Sequence, residues 1–156
     1  MSDHTSRWRR WKSDDSQTRP DSPSPDEHRF LQGLHDIRRL LSGEWTWDVL
    51  VALHAQPLPY TRLLDTIRSR DNTTGWPGVK HRHLQDGPLN RTLRRLEQGE
   101  LITRTRDTDF PYRTTYELAP ASKELLAAAA PLVAWTEAHA ELLERARERR
   151  KKDISS

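Results

Sequence analysis

Hydrophobic positions recur with a helical period along most of the chain. Phe30, Leu34, Ile37 and Leu41 follow one another at spacings of 4, 3 and 4. This predicts an amphipathic helix from Asp26 that Ser42-Gly43 interrupts. In "EWTWDVLVALHA", Trp45, Val49, Ala52 and Leu53 share one face and Trp47 and Val51 take the other. That second helix is apolar nearly all round and is expected to be buried, with Pro57 and Pro59 ending it. "YTRLLDTIRSR" gathers Tyr60, Leu63, Leu64 and Ile67 on one side as a third helix. The next stretch, "DNTTGWPGVKHRH" (71–83), reads as an irregular loop, long for a compact domain. Asp86 is expected to cap a fourth helix with Pro88 in its first turn, and that helix stops near Gly99.

The period then changes. "LITRTR" and "RTTYEL" are rich in β-branched and aromatic residues, and "DTDFPY" between them predicts a hairpin whose two acids serve the turn. Ile102 and Tyr116 face the core, with Leu101 or Leu118 closing its edges. From Pro120 the chain is helical again, with Ser122 at the start and a kink expected at Pro131. Three short helices and a two-stranded ribbon are the plan of a winged helix-turn-helix, a mainly α fold with a small β-hairpin wing (α+β). Residues 1–25 read as a basic, Pro/Ser-rich lead-in, 26–143 as the domain with a loop insertion at 71–83, and 144–156 as a charged, fraying tail.

The phase of the fourth helix decides which residues face outward. At about 100° per residue, Leu89, Leu93 and Leu96 fall within about 60° of one another. Arg91, Arg94, Arg95 and Gln98 cluster opposite, with Asn90 between the faces. Like charges so grouped suit a site where phosphate supplies the counter-charge. An arginine fork also matches guanine O6 and N7, and Asn90 matches adenine. Arg91 and Arg95 are therefore expected to read bases. In the hairpin, Arg104 and Arg106 alternate with Thr103 and Thr105 and Arg113 opens the second strand, a basic wing for backbone or minor groove. Lys80 and Arg82, in the loop before the fourth helix, join the candidate DNA contacts.

Composition agrees without deciding. The 156 residues carry a formal charge of +3, and the pI is about 9.5 with a mean hydropathy of −0.95. Local clusters, more than this small net charge, point to nucleic acid. Trp8 and Trp11 sit among Arg7, Arg9, Arg10 and Lys12, a DNA-backbone arm or membrane-surface patch in one reading and a solvated tail in the favoured one. There is no cysteine, which excludes disulfides, thiolate metal sites and thiol redox switches. The most apolar run, "ELLAAAAPLVAW", is far shorter than the roughly 20 residues that span a bilayer. His81 and His83 lack the paired ligands a metal site needs, so no metal or cofactor is expected. No P-loop, nucleophile elbow or dinucleotide fingerprint occurs, and an enzyme is not expected.

Four segments, in order, resemble the HxlR-type family of bacterial winged helix-turn-helix regulators: "SGEWTWDVLVAL", "YTRLLDTI", "LNRTLRRLEQGELITRTR" and "FPYRTTYELAPASKELL", together about Leu41 to Leu126. Against the family pattern, Glu44 replaces a Lys, Gly99-Glu100 inverts an acidic-Gly order, Ala119-Pro120 alters the turn after the wing, and 71–83 is inserted between the two motif helices. The resemblance implies a cytoplasmic, nucleoid-associated regulator that binds double-stranded DNA at a pseudo-palindromic operator. It also implies a homodimer formed by N- and C-terminal helices. Phe30, Leu34, Ile37, Leu41, Leu132, Trp135 and Leu142 supply apolar surface for that interface, beyond what three short helices can cover. A small-molecule effector stays open as a further partner, with Trp76 the aromatic to watch. The rival reading is a winged-helix module that binds another protein without specific DNA readout.

Overall fold

A computed structural model describes residues 24–70, 75–78 and 83–156. The N-terminal lead-in with Trp8 and Trp11, and most of the insertion including Lys80, His81 and Arg82, lie outside the described residues. The chain divides into two units, 1–39 and 40–156.

The described part of the first unit is helix α1, Pro25–Leu40. Ser24 accepts the Glu27 N–H through its hydroxyl, a side-chain cap at the N-terminus. Asp26 and Glu27 in the first turn and Arg38 and Arg39 in the last oppose the helix dipole. Its apolar stripe, Phe30, Leu34 and Ile37, is exposed.

The second unit holds the core. Helix α2 (Thr46–His54) buries Val49, Leu50, Ala52 and Leu53 against α3 (Tyr60–Ser69), α4 (Asp86–Gln98), strand β3 (Thr114–Leu118) and α5 (Pro120–Ala138). Its other face is open: Trp47 and Val51 are exposed, so the expectation of burial all round holds for one side only. Helix α3 contributes Leu63, Leu64 and Ile67, and α4 contributes Leu89, Leu93 and Leu96. Leu41, expected on the dimer stripe, is buried in this core instead.

Strand β2 (Ile102–Arg106) pairs antiparallel with β3, Ile102 opposite Leu118 and Arg106 opposite Thr114. Ile102, Tyr116 and Leu118 point inward, as the alternation requires. A third strand, β1 (Leu58–Pro59), covers the free edge of β3, giving the order β1-β3-β2. Proline has no N–H for a ladder and suits such an edge. After β3, the buried Ser122 hydroxyl donates to the Leu101 carbonyl and ties the start of α5 to the start of the wing. Helix α5 continues through Pro131; the break falls at His139, whose ring stacks on Trp135, and α6 (Ala140–Ser155) follows. The expected fraying tail is helical to Ser155.

The inverted Gly99-Glu100 pair has a visible consequence. Leu101 N–H reaches the Leu96 carbonyl and Glu100 N–H the Glu97 carbonyl, the paired bonds of a Schellman stop. The left-handed residue of that motif, usually glycine, is here Glu100, with φ 57°. Gly99 keeps a negative φ, and a Cβ there would stand 3.2 Å from Leu40 Cδ1, a tight contact that the exposed leucine side chain would have to relieve. A left-handed L-residue costs about 1–2 kcal/mol, and glycine's extra chain entropy returns part of that. Glu100→Gly is therefore expected to stabilise the protein by about 0.5–1 kcal/mol, read as a higher urea midpoint at unchanged slope.

Candidate nucleic-acid interface

Helices α3 and α4 are the pair that the sequence pattern makes the helix-turn-helix, and the insertion separates them by far more than the usual 3–4-residue turn. Two side-chain bonds fix them to each other regardless. The Tyr60 hydroxyl, at the start of α3, donates to the Asp86 carboxylate at the start of α4 (2.6 Å). Arg68 Nε donates to the Leu84 carbonyl (2.9 Å), and Leu84 itself is buried. Asp86 thus departs from the expected capping role: the helix begins with Gln85 outside it, no side chain caps it, and the carboxylate serves Tyr60. Burial and this carboxylate push the Tyr60 hydroxyl up to about 12, so it remains a donor at any physiological pH.

The part of the insertion that is described, 75–78, rests on α6. The Arg147 guanidinium lies over the Trp76 ring (5.4 Å), and a Cβ on Gly78 would meet Ile154 Cδ1 at 2.9 Å. Arg147 also pairs with Glu144 at 3.6 Å. Trp76 therefore packs against the C-terminal helix of its own chain.

Helix α4 presents two unlike faces. Leu89, Leu93 and Leu96 are buried, and Thr92 between them satisfies its hydroxyl on the Pro88 carbonyl. Asn90, Arg91, Arg94, Arg95 and Gln98 are exposed. Among the described residues no ion pair holds Arg91 or Arg94. Arg95 differs. Its Nη2 donates to Thr46 Oγ1 (3.1 Å), and the guanidinium covers Gly43, where a Cβ would all but coincide with it (1.9 Å to Nη2). Gly43 has φ 125°, a second reason for glycine at that turn. Thr46, fully buried, spends its own proton on the Ser42 carbonyl (3.2 Å). The outward arginine expected to read bases is therefore turned back to fasten α4 to the start of α2. Arg95→Ala is expected to lower stability by about 1 kcal/mol and to leave base preference unchanged, measured by urea unfolding and by selection of bound duplexes. A shifted preference would return Arg95 to the reading face.

The wing repeats this division of labour. Arg104 lies opposite Tyr116 and so on the inward side of the hairpin, where its Nε stands 3.5 Å from the Glu97 carboxylate at the end of α4. Burial raises the Tyr116 hydroxyl's pKa, and Arg104 beside it acts in the opposite direction. Arg104 thus joins wing to helix, while both groups remain solvated enough for the pair to add little stability. Arg106 stacks on Tyr112 (5.6 Å), and Arg113 is exposed at the far strand's entry. Tyr112 and Phe110, absent from the candidate set, occupy the tip: Phe110 is 87% exposed, and its peptide bond to Pro111 is cis. Apart from Arg95, which bonds Thr46, the exposed arginines of the candidate set outside any ion pair among the described residues are Arg91, Arg94, Arg106 and Arg113. No group of three or more metal-ligating side chains occurs among the described residues.

The family model for the HxlR-like helix-turn-helix matches residues 40–144, about two thirds of the chain. The chain belongs to the HxlR-like helix-turn-helix family. It is a DNA-binding transcriptional regulator and not an enzyme. Solved structures share the fold. A protein from Enterococcus faecalis V583 assigned to the MarR family of transcriptional regulators superposes with a TM-score of 0.57 at 18% identity, covering 82% of this chain and 99% of its own. Diamide-treated YodB from B. subtilis gives 0.51 at 20% identity, covering 74% of this chain and 93% of its own. The redox regulator HypR in its reduced form gives 0.56 at 15%, covering 72% and 98%. No curated protein sequence matches the chain. Within this HxlR-like protein no described helix is long and apolar enough to cross a membrane.

Proposed function

We propose that this HxlR-like protein is a homodimeric, sequence-specific regulator of transcription that reads duplex DNA with α4 in the major groove and steadies it with the wing. The observation that carries the reading is the split of α4: leucines buried on one side, Asn90, Arg91, Arg94 and Gln98 exposed on the other, with no acid paired to Arg91 or Arg94 among the described residues. Arg91 and Asn90, nearer the helix N-terminus, read base edges, because recognition helices meet the groove N-terminal end first. Arg94, Gln98, Arg106 and Arg113 hold phosphates, and Lys80 and Arg82 extend that contact from the insertion.

The dimer rests on exposed apolar side chains at both ends of the chain. Phe30, Leu34 and Ile37 are exposed on α1, and Leu132, Trp135 and Leu142 on α5 and α6, with Leu132 72% exposed. Apolar stripes of this kind are covered in a stable assembly. A twofold dimer reads a pseudo-palindrome with half-sites about 10 bp apart. We place this regulator in the cytoplasm, on the nucleoid. Any signal it answers acts without thiol chemistry, since the sequence has no cysteine.

Selection of bound sequences from a random duplex pool tests the reading. The expected outcome is an enriched inverted repeat; absence of any retarded duplex at low salt sinks it and leaves the protein-interaction reading.

A further inference from the structure

The tip of the wing carries a side chain that a purely basic wing does not use. Phe110 has the largest exposed fraction of any large apolar side chain among the described residues, 87%. A lone exposed apolar residue is ordinary on a protein surface, but this one has an aromatic neighbour. Its ring meets Tyr112 edge to face, centroids 6.3 Å apart at 86°, and Tyr112 in turn lies under Arg106. The hairpin is closed beneath them by the Asp107 N–H on the Arg113 carbonyl (2.8 Å). Phe110 is thus the outer end of a supported stack.

Charge at the tip tells which kind of groove contact it suits. Arg106 and Arg113 are offset by Asp107 and Asp109, so the tip is close to neutral. A narrow A-tract minor groove attracts side chains through its negative potential, and a neutral tip gains little from it. What this tip offers is an apolar ring. Reach agrees: the five residues of β2, which follows α4, set the tip roughly 16 Å from the start of the strand. That is about half of the ~34 Å helical turn, the interval between neighbouring major and minor grooves.

We propose that Phe110 wedges between two stacked base pairs from the minor groove, at a pyrimidine–purine step beside the half-site, and kinks the duplex there. The inference rests on the DNA reading of α4. Apolar wedges unstack a step and bend DNA by about 20–90° toward the major groove, and TA and CA/TG steps yield most easily. Specificity then arises at base pairs that no polar side chain touches.

The full chain is titrated onto a selected duplex carrying 2-aminopurine beside each candidate step, and onto the same duplex with donor and acceptor dyes at its ends. With wild type, fluorescence of one 2-aminopurine per half-site is expected to rise severalfold, with end-to-end shortening that corresponds to a bend of about 20–90°. Phe110→Ala is expected to abolish both signals while affinity falls about tenfold or less and the salt dependence stays; Phe110→Leu, still a wedge, is expected to keep part of each. Because the side chain is exposed, thermal unfolding of the variants is expected to match wild type. Binding by wild type without unstacking or bending overturns the wedge alone, as does a Phe110→Ala variant that bends DNA like wild type. Failure of wild type to retard any duplex at low salt overturns the DNA reading and the wedge together.

Discussion

Raising salt from about 50 to about 200 mM is expected to weaken duplex binding by this regulator about 10³–10⁴-fold. Each phosphate neutralised on B-DNA releases condensed counterion, with a slope of about −0.9 in log K against log salt. Arg91, Arg94, Arg106 and Arg113 are exposed on α4 and the wing, and no ion pair among the described residues holds them. Three or four such contacts on each protomer, repeated in the proposed dimer, give a slope near that of about six to eight phosphates, which contacts from Lys80 and Arg82 would steepen further. Arg104 stays out of the count because Glu97 already holds it at 3.5 Å. Arg94→Ala should then flatten the slope by about 1 for each protomer and weaken binding to all sequences alike. Arg149→Ala, on α6, should leave the slope unchanged, although it removes the same charge. Salt titrations of a fluorescently labelled duplex separate these outcomes; binding that ignores salt would sink the assignment.

That count depends on knowing which arginines are free, and the sequence disclosed this only in part. The phase of Leu89, Leu93 and Leu96 correctly turned Arg91, Arg94 and Arg95 to solvent, because helical geometry is local and the leucines had to be buried. A helical wheel gives the direction of a side chain and not its partner. Thr46 lies 49 residues from Arg95, and only the folded chain brings the two together over Gly43. Arg104 is a similar case, since strand alternation already set it on the inward side with Ile102, and Glu97 became its partner through the tight turn at Gly99-Glu100.

The fold was legible for the same reason and with the same limits. Helix periods, the hairpin register and the inward Ile102 and Tyr116 follow from spacing alone. Strand β1 does not, because two residues ending in a proline show no alternation, and they form a strand only because β3 has an edge to cover. Trp47 and Val51 looked buried because apolar residues surround α2 in sequence, yet the small core covers only one side of that helix. Asp86 has the residue type and position of a cap, but the Tyr60 hydroxyl, 26 residues away, claims it. In "DTDFPY" the spacing assigns only the two acids, to the turn; nothing local announces that the Phe110 ring stands exposed beside Tyr112.

The opposite faces of α4 should respond in opposite ways to alanine. Leu89 is fully buried among the core leucines, and removing its three outer carbons leaves a cavity in a small domain. Leu89→Ala is expected to cost about 2–5 kcal/mol, a large part of the 5–15 kcal/mol that typically holds a domain together. It should appear as a lower urea midpoint with an unchanged slope, followed by tryptophan fluorescence. Arg91, one turn-fraction away, is exposed beside Gly87 and pairs with no carboxylate among the described residues. Arg91→Ala should therefore stay within about 0.5 kcal/mol of wild-type stability. Its effect belongs to DNA: a loss of about 1–3 kcal/mol of discrimination at one base pair of each half-site. The fraction of Leu89→Ala that is folded should, conversely, keep the wild-type base preference, because its missing side chain never faced the groove. If Arg91→Ala unfolds the protein while Leu89→Ala leaves it intact, the helix sits the other way round and the reading face is misassigned. If both are stable and both bind as wild type, α4 is not the recognition helix.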